Sequence, residues 1–369
     1  MNALITGSLA FDHVMNFNGK FSDYILPDKI HQLNLSFAVT SMRKEHGGCA
    51  GNIAYNLSLL AEKPILFGVA GEDFGEYKTW LSNGGIDTRF VREMYGESSS
   101  IGFGITDSSD NQIWGYYPGA MKYAGDLKIA DILEKEVILE PKKPAVSDSS
   151  SRFGGGGLAQ LTRKRIPLSG IGEKKEKDSQ EKSPIKLKRE ELGLLIIAPN
   201  DITAMMNFAH EAKELHLPYI FDPGMQLPNF DSEKLLKAID GSTILIGNDY
   251  EIELIKTSLN ADDEMLLHLC ETVITTKGSH GSLIMTKSGL IEIPPAHAVD
   301  VIDPTGAGDA YRAGIIYGYL HKIPLDVAGR IGSLLAAYTV EAYGTTTHSF
   351  KIIEFKKRYQ ENFKERLYL

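Results

Sequence analysis

The chain has 369 residues, 43% of them hydrophobic, and a formal net charge of −9 at pH 7. This length exceeds the usual single-domain size but suits one α/β domain with an appendage. The acidic balance disfavours nucleic acid and anionic membranes as partners. Two cysteines, Cys49 and Cys270, are too few for a disulfide framework or a cysteine-rich zinc site. No uncharged apolar stretch reaches the roughly 18 residues of a membrane span, so we expect a cytoplasmic protein.

Short apolar runs bounded by turn residues predict a series of strands. They lie at 3–7, 65–71, 194–199, 219–223, 243–248 and 272–278. Amphipathic stretches at 202–216 and 231–240 predict helices between them. This alternation indicates βαβ units around a mostly parallel, doubly wound sheet. Ligands bind such sheets at the carboxyl ends of the strands, so residues that follow each run are site candidates.

Two segments break the alternation. The stretch 13–45 has few helix signals, and 99–117 contains two strand-like runs around the polar turn "DSSDN". Such a pattern predicts a hairpin. We therefore expect a small β lobe beside the main sheet. The predicted lobe comprises 13–45 and 99–117, and the predicted core comprises 1–12, 46–98 and 118–369.

The stretch 142–191 differs from the rest of the predicted core. It contains 13 Lys and Arg against 7 Asp and Glu, a local charge of 13 − 7 = +6. Its few apolar residues cannot offset the entropy lost on ordering. We predict a disordered or surface insertion. A basic docking segment is the alternative.

The most informative motif is "DPTGAGDAYRAG" at 303–314. The small residues Gly306, Ala307 and Gly308 let backbone N–H groups approach an anion, and the following helix points its N-terminus at the same place. Asp309 would oppose a bound phosphate unless it accepts a proton from a hydroxyl that attacks the phosphorus. The alternative is a glycine-rich helix cap with no ligand.

This motif closely resembles the second signature of the PfkB, or ribokinase-like, carbohydrate and nucleoside kinases. The stretch "HGGCAGNIAYNLSLL" at 46–60 resembles the first signature. In it, Gly47 and Gly48 permit close backbone approach, and the Asn52 amide can bind vicinal hydroxyls. The family resemblance implies a three-layer α/β/α domain with a mostly parallel central sheet and a small β-sheet lid. It also implies an ATP-dependent kinase with Asp309 as the catalytic base.

Further stretches resemble the family in the same order. "TGSLAFDH" at 6–13 ends an opening strand with Asp12, which the resemblance assigns to sugar hydroxyls. "GNDYE" at 247–251 resembles an Asn-x-x-Glu element, in which Asn248 and Glu251 would organise phosphate and Mg²⁺ through water. On the residues alone, Asp12 is a turn residue and Glu251 a first-turn helix acid.

The resemblance also implies the remaining nucleotide contacts. "TTKGSHG" at 275–281 resembles the nucleotide loop, with Thr276, Gly278 and Gly281 near ATP. Asp303 belongs to a loop that binds a monovalent cation such as K⁺ in the family. No "GxxxxGK[ST]" sequence is present, which disfavours a P-loop NTPase.

Outside 142–191, most of the chain is similar to one branch of the family, and the similar stretches include 5–37, "GGCAGNIA" at 47–54, "YYPGAM" at 116–121 and "GNDYE" at 247–251. They look like the bacterial adenosine kinases of the actinobacterial type. In that branch, Ser8, Asp12, Gly48 and Asn52 would hold the ribose and Ser36 would lie at the lid. Phe103 and Tyr116 of the predicted hairpin would stack on the base, although hairpin aromatics more often pack on each other.

One departure from that branch concerns the base. "FDPGMQLP" keeps Gln226 but has Gly224 and Met225 where the branch carries polar residues. Base preference is therefore open, with another nucleoside or a free sugar such as ribose or fructose as the alternative. A non-catalytic sugar- or nucleotide-binding regulator is the alternative from a different class. We expect a homodimer that associates through the lid.

Overall fold

The computed structural model describes residues 1–26, 34–109, 111–134 and 186–368. The strands in chain order are β1 (Asn2–Thr6), β2 (Ala10–Asn16), β3 (Ser41–Gly47), β4 (Ile65–Gly71), β5 (Asp87–Met94), β6 (Ser100–Thr106), β7 (Gln112–Tyr117), β8 (Leu192–Ile197), β9 (Tyr219–Phe221), β10 (Ser242–Asn248), β11 (Cys270–Thr276), β12 (Ser282–Thr286) and β13 (Gly289–Ile293). Every predicted strand is present, as is the predicted hairpin of β6 and β7.

The large sheet has the strand order β13-β12-β11-β10-β9-β8-β1-β4-β5. The pairs from β11 across to β5 are parallel, while β12 and β13 add an antiparallel edge. The central strands are buried on both faces, as in the all-apolar run "LGLLII" of β8. The carboxyl ends of β1, β8, β9, β10 and β11 therefore lie side by side along one edge.

Helices cover both faces of this sheet. They are α1 (Cys49–Leu59), α2 (Gly75–Asn83), α3 (Ile129–Ile132), α4 (Ile202–Glu214), α5 (Ser232–Ile239), α6 (Asp249–Leu259), α7 (Asp263–Leu269), α8 (Ala307–Leu320), α9 (Leu325–Val340) and α10 (Ile352–Phe363). Alternate residues of β1 enter separate cores: Ile5 belongs to the core that contains residues of α1, α8 and α9, and Leu4 belongs to the core that contains residues of α4 and α5. The predicted three-layer α/β/α architecture is confirmed.

The small sheet has the order β3-β2-β6-β7, with β2 and β6 parallel. Strand β2 begins at Ala10 and strand β3 ends at Gly47, so the small sheet extends beyond both ends of the predicted lobe segment 13–45. The expectation that Asp12 ends the opening strand is wrong. Gly7, with φ +151°, redirects the chain after Thr6, and the alternating run that follows forms a new strand with Asp12 inside it.

The predicted insertion 142–191 lies almost entirely outside the described residues. On either side of it, the Leu187 N–H donates to the Ile132 carbonyl at 2.9 Å, and Leu133 pairs with Leu187 in a parallel bridge. The two ends of the omitted stretch are therefore close together. Within the described ranges, no helix is long and apolar enough to cross a bilayer.

Candidate active site

The first turn of α8 is the centre of the site. Gly306 precedes the helix with φ +81°, which favours glycine, and a Cβ there would lie 2.9 Å from the Thr345 Cβ. The Ala307 N–H is engaged by the Pro304 carbonyl at 3.3 Å. The N–H groups of Gly308 and Asp309 have no preceding carbonyl of the helix to bond, so they can receive an anion.

Asp309 is held by a side chain of helix α1. Its Oδ2 accepts a hydrogen bond from Asn52 Nδ2 at 2.9 Å. Burial raises the pKa of Asp309 to about 6, although Arg312 and Asn52 oppose the rise. The carboxylate is therefore ionised at neutral pH and can accept a proton.

Asn52 uses both ends of its amide within the protein. Its Nδ2 faces Asp309, and its Oδ1 accepts from Thr345 Oγ1 at 2.7 Å. These contacts use one lone pair of Oδ1 and one hydrogen of Nδ2, and the predicted bidentate contact with vicinal hydroxyls stays a prediction. The second Nδ2 hydrogen remains for a ligand.

A buried ion pair joins α8 to the end of β9. Arg312 lies one turn after Asp309 and contacts both oxygens of Asp222, with Nη2 at 2.8 Å from Oδ1. A Cβ at Gly308 would lie 2.6 Å from Arg312 Nη1, so any side chain there would displace the guanidinium. The pair keeps a positive charge between the carboxylates of Asp309, Asp222 and Glu251.

Asp12 occupies a space that two glycines leave open. A Cβ at Gly47 would lie 2.0 Å from Asp12 Oδ2, and one at Gly102 would lie 2.4 Å from Oδ1. Burial, together with the charges of Asp309, Asp303 and Glu45, raises the pKa of Asp12 to about 6. The small sheet thus presents one carboxyl group toward the carboxylate of α8.

Strand register decides which aromatics share the face of Asp12. Asp12 pairs with Gly102, and Gly102 pairs with Tyr116, so Asp12 and Tyr116 lie on the same face. Phe103 follows Gly102 directly and lies on the opposite face, where it stacks on His13 at 5.1 Å. The prediction that Phe103 and Tyr116 stack on one base is therefore wrong for Phe103.

Trp114 is the aromatic that the sequence analysis missed. It lies two residues from Tyr116 on the face of Asp12, and a Cβ at Gly102 would lie 3.1 Å from its ring. Period-two alternation along "QIWGYY" would have paired these two aromatics.

The other predicted substrate contacts are distributed along the same edge. Ser8 Oγ accepts the Cys49 N–H at 3.0 Å, and the Tyr116 hydroxyl lies beside Ser8. Gly48 caps α1 with φ +88°. Gln226 lies after β9, where its Oε1 accepts from Asn229. Ser36 is exposed before β3 and stays a prediction.

The predicted nucleotide residues follow the neighbouring strands β10 and β11. Asn248 and Thr276 are register partners at the ends of these strands, and Gly278 and Gly281 have φ values of +53° and +82° in the next turn. Asn248 and Glu251 form a reciprocal capping box at the start of α6, with Asn248 N 2.8 Å from Glu251 Oε2. This contact uses Oε2 of Glu251, so Oε1 takes no part in the helix cap.

Asp303 connects two loops beside α8. Its Oδ1 accepts from Thr305 N at 2.9 Å, and its Oδ2 accepts from Gly344 N at 3.1 Å. Its carboxylate is buried and keeps lone pairs beyond these two bonds.

Three polar residues of the site were not among the predicted ones. Asp222 follows the end of a strand, and Arg312 lies three residues after Asp309 on the same helix. Both positions could therefore have been predicted from the sequence. Thr345 lies far along the chain in "YGTTTH" and carried none.

A three-layer α/β/α domain with a small sheet beside the carboxyl edge, and a carboxylate at the start of a helix, defines a small-molecule kinase of the ribokinase-like fold. The family model for the pfkB family of carbohydrate kinases matches residues 10–152 and 174–352, and the chain belongs to that family.

The chain is similar to several kinases along nearly its whole length. The nucleoside kinase of Methanocaldococcus jannaschii is 28% identical over 346 residues, which cover 93% of this chain and 91% of that protein. A structure of Burkholderia thailandensis nucleoside kinase in complex with inosine has a TM-score of 0.78, 30% identity and 99% coverage of both chains. The same kinase in complex with ADP and inosine has a TM-score of 0.76, 31% identity, and coverage of 99% of this chain and 97% of that one.

Proposed function

We propose that the chain is an ATP-dependent nucleoside kinase that transfers the γ-phosphoryl group of ATP to a nucleoside 5′-hydroxyl, with Asp309 as general base. The observation that carries the proposal is the position of Asp309. Its half-buried carboxylate lies at the first turn of α8, beside free N–H groups, and is oriented by Asn52 at 2.9 Å. A proton acceptor and an anion site at one place are what phosphoryl transfer to an alcohol requires.

In the proposed reaction, the 5′-oxygen forms a bond to the γ-phosphorus. The bond from that phosphorus to the bridging oxygen breaks, and ADP leaves with the oxygen. The hydroxyl proton passes to Asp309. The N–H groups of Gly308 and Asp309 stabilise the charge on the transferred group.

The nucleoside would bind between the small sheet and α1. Asp12 is proposed to accept hydrogen bonds from ribose hydroxyls, with Ser8, Gly47 and Gly48 forming the wall around them. Trp114 and Tyr116, on the face of Asp12, are proposed to contact the base.

Mg²⁺ and K⁺ are proposed cofactors, with Mg²⁺ supplying charge neutralisation on the ATP phosphates. In the described ranges, no group of three or more His, Cys, Asp or Glu would bind a metal ion directly. Glu251 fits contact through water, because only its Oε2 is used by the helix cap. Asp303 would hold K⁺, since its buried carboxylate retains acceptor capacity.

The base preference is proposed to extend beyond adenosine. The relatives are named nucleoside kinases, and one solved relative holds inosine, which favours a general nucleoside kinase over an adenosine kinase. Gly224 and Met225 also replace the polar residues that the adenosine kinase branch carries after its Asp-Pro.

An ATP-consumption assay across adenosine, inosine, guanosine, ribose and fructose tests this proposal. We expect the nucleosides to exceed the free sugars in kcat/KM and inosine to be a substrate. A free sugar in first place would assign a sugar kinase, and binding without ATP consumption would favour the non-catalytic regulator.

A further inference from the structure

The segment 343–345 contacts both the small sheet and the loops around the candidate catalytic base, Asp309. On the side of β3, Arg43 lies over the Tyr343 ring at 4.4 Å, and Glu45 lies against Gly344. On the other side, Gly344 N donates to Asp303, and Thr345 lies against Gly306. This short loop therefore connects the small sheet to the candidate active site.

Thr345 has contacts on both sides through a single hydroxyl. Its Oγ1 lies 2.7 Å from Asn52 Oδ1 in α1 and 3.1 Å from the His46 carbonyl oxygen in β3. Both partners are acceptors, and a hydroxyl has one proton. The proton can be given to only one of them at a time, and the shorter distance favours Asn52.

We propose that Thr345 is a positioning residue for phosphoryl transfer, whose hydroxyl fixes the Asn52 amide so that its nitrogen, and not its oxygen, faces Asp309. The inference rests on the proposed function. An amide can rotate to exchange its oxygen and nitrogen. With Nδ2 toward Asp309, the Thr345 hydroxyl donates to Asn52 Oδ1 at 2.7 Å; after rotation it would accept from Nδ2 and could donate only to the more distant His46 carbonyl at 3.1 Å. The shorter bond therefore favours the orientation with Nδ2 toward the carboxylate. The His46 carbonyl is the competing acceptor, so the position of β3 influences how strongly Asn52 is held.

The orientation of Asn52 affects the proton affinity of Asp309. The amide nitrogen stabilises the ionised carboxylate, and the amide oxygen in its place would favour the protonated form. The charged or titratable groups that also act on Asp309 are Asp12 of β2, Cys49 of α1, Tyr77 of α2, Asp222 after β9 and Arg312 of α8. Substitution of Thr345 leaves all of these in place.

Thr345→Val tests the role, because valine keeps the shape and removes the hydroxyl. We expect kcat to fall about three- to tenfold, the size of one lost neutral hydrogen bond. We also expect the acidic limb of the pH profile of kcat/KM to move to higher pH. Thr345→Ser should retain the wild-type kcat and pH profile.

Thr347→Val is the matched control. Thr347 is exposed in the same loop and donates to the Tyr343 carbonyl, without contact to Asn52. Its kcat and pH profile should equal those of the wild type. Because valine at 345 could reduce folding, the pair Thr345→Ala and Thr345→Ser, compared at equal folded fraction by circular dichroism, provides a second measurement of the hydroxyl.

The outcomes separate this inference from the proposed function. If the wild type phosphorylates no nucleoside, the proposed function fails. If the wild type is active and Thr345→Val matches Thr347→Val in kcat and pH profile, the positioning role is wrong. A loss of activity that Thr345→Ser fails to restore would also overturn it, since packing and not the hydroxyl would then be the cause.

Discussion

The Asp309 carboxylate accepts a hydrogen bond from Asn52 and lies near the Arg312 guanidinium. This environment makes Asp309 the residue at which to test catalysis. Asp309→Asn keeps the size of the side chain and removes the proton acceptor. We expect kcat to fall by roughly 10²- to 10⁴-fold, the usual contribution of a general base. Steady-state kinetics with the best nucleoside measure it, and nucleoside Kd by calorimetry serves as the control. Near-normal turnover would remove Asp309 from the mechanism.

The pH dependence at Asp309 has opposite signs for activity and stability. Its pKa is raised from 3.8 to about 6, so kcat/KM should fall as the pH drops through 6 and the acceptor becomes protonated. The folded state binds this proton more tightly than the unfolded state, so the same group should add stability as the pH falls from 6 toward 3.8. Thermal midpoints of the wild type and Asp309→Asn across this range isolate the stability effect. Parallel curves for the two proteins would contradict it.

Asp12 provides the test of substrate binding. Its carboxylate, in the space left by Gly47 and Gly102, is proposed to hold hydroxyls that do not react. Asp12→Asn should weaken nucleoside binding by roughly 1.5–3 kcal/mol, the range for hydrogen bonds to a charged group. Calorimetry measures the Kd, with ATP affinity as the control. An unchanged nucleoside Kd would show that Asp12 has only a structural role.

At the scale of elements, the small sheet has two different faces. Met15 pairs with Met42 and Ile105, and Ile105 pairs with Ile113, which places an apolar row on the face opposite Asp12. Phe103 and Ile113 are each 43% exposed there. A row of this kind fits the homodimer that we propose through the lid.

Ile113→Lys should convert the proposed dimer to a monomer, because it introduces a charge into the apolar row. Light scattering coupled to size-exclusion chromatography, at one protein concentration, measures the mass. Tyr95→Lys is the control, since Tyr95 is 96% exposed and lies outside the small sheet. A monomeric wild type would contradict the proposal.

The sequence predicted these elements well and their faces less well. The runs at 65–71 and 219–223 and the hairpin of β6 and β7 appear as expected, because apolar period and turn residues are local signals. Asp12 was misplaced because the sharp turn at Gly7 separates two strands that read as one. The contact of Asn52 with Thr345 joins residues 293 positions apart, and no local pattern indicates such a pair.

At the scale of the whole molecule, we expect that the stretch between Leu133 and Leu187 can be shortened without loss of activity. Because loop-closure entropy grows slowly with length, the fold can accommodate a long insert here at a cost of about one or two kcal/mol. Replacing 142–185 with a short Gly/Ser linker should leave kcat/KM for the best nucleoside within a few-fold. The kinetics of the shortened and full chains measure it. A folded but inactive shortened chain would make the insert a part of the site.

The bridge between Leu133 and Leu187 has one more consequence. Division of the chain there would give two pieces, one with β1 and Asn52 and the other with β8 and Asp309. Each piece would contain one partner of the 2.9 Å hydrogen bond between the Asn52 amide and the candidate catalytic base, Asp309. The two pieces would therefore form a split enzyme, in which turnover reports their reassembly through the pairing of β1 with β8.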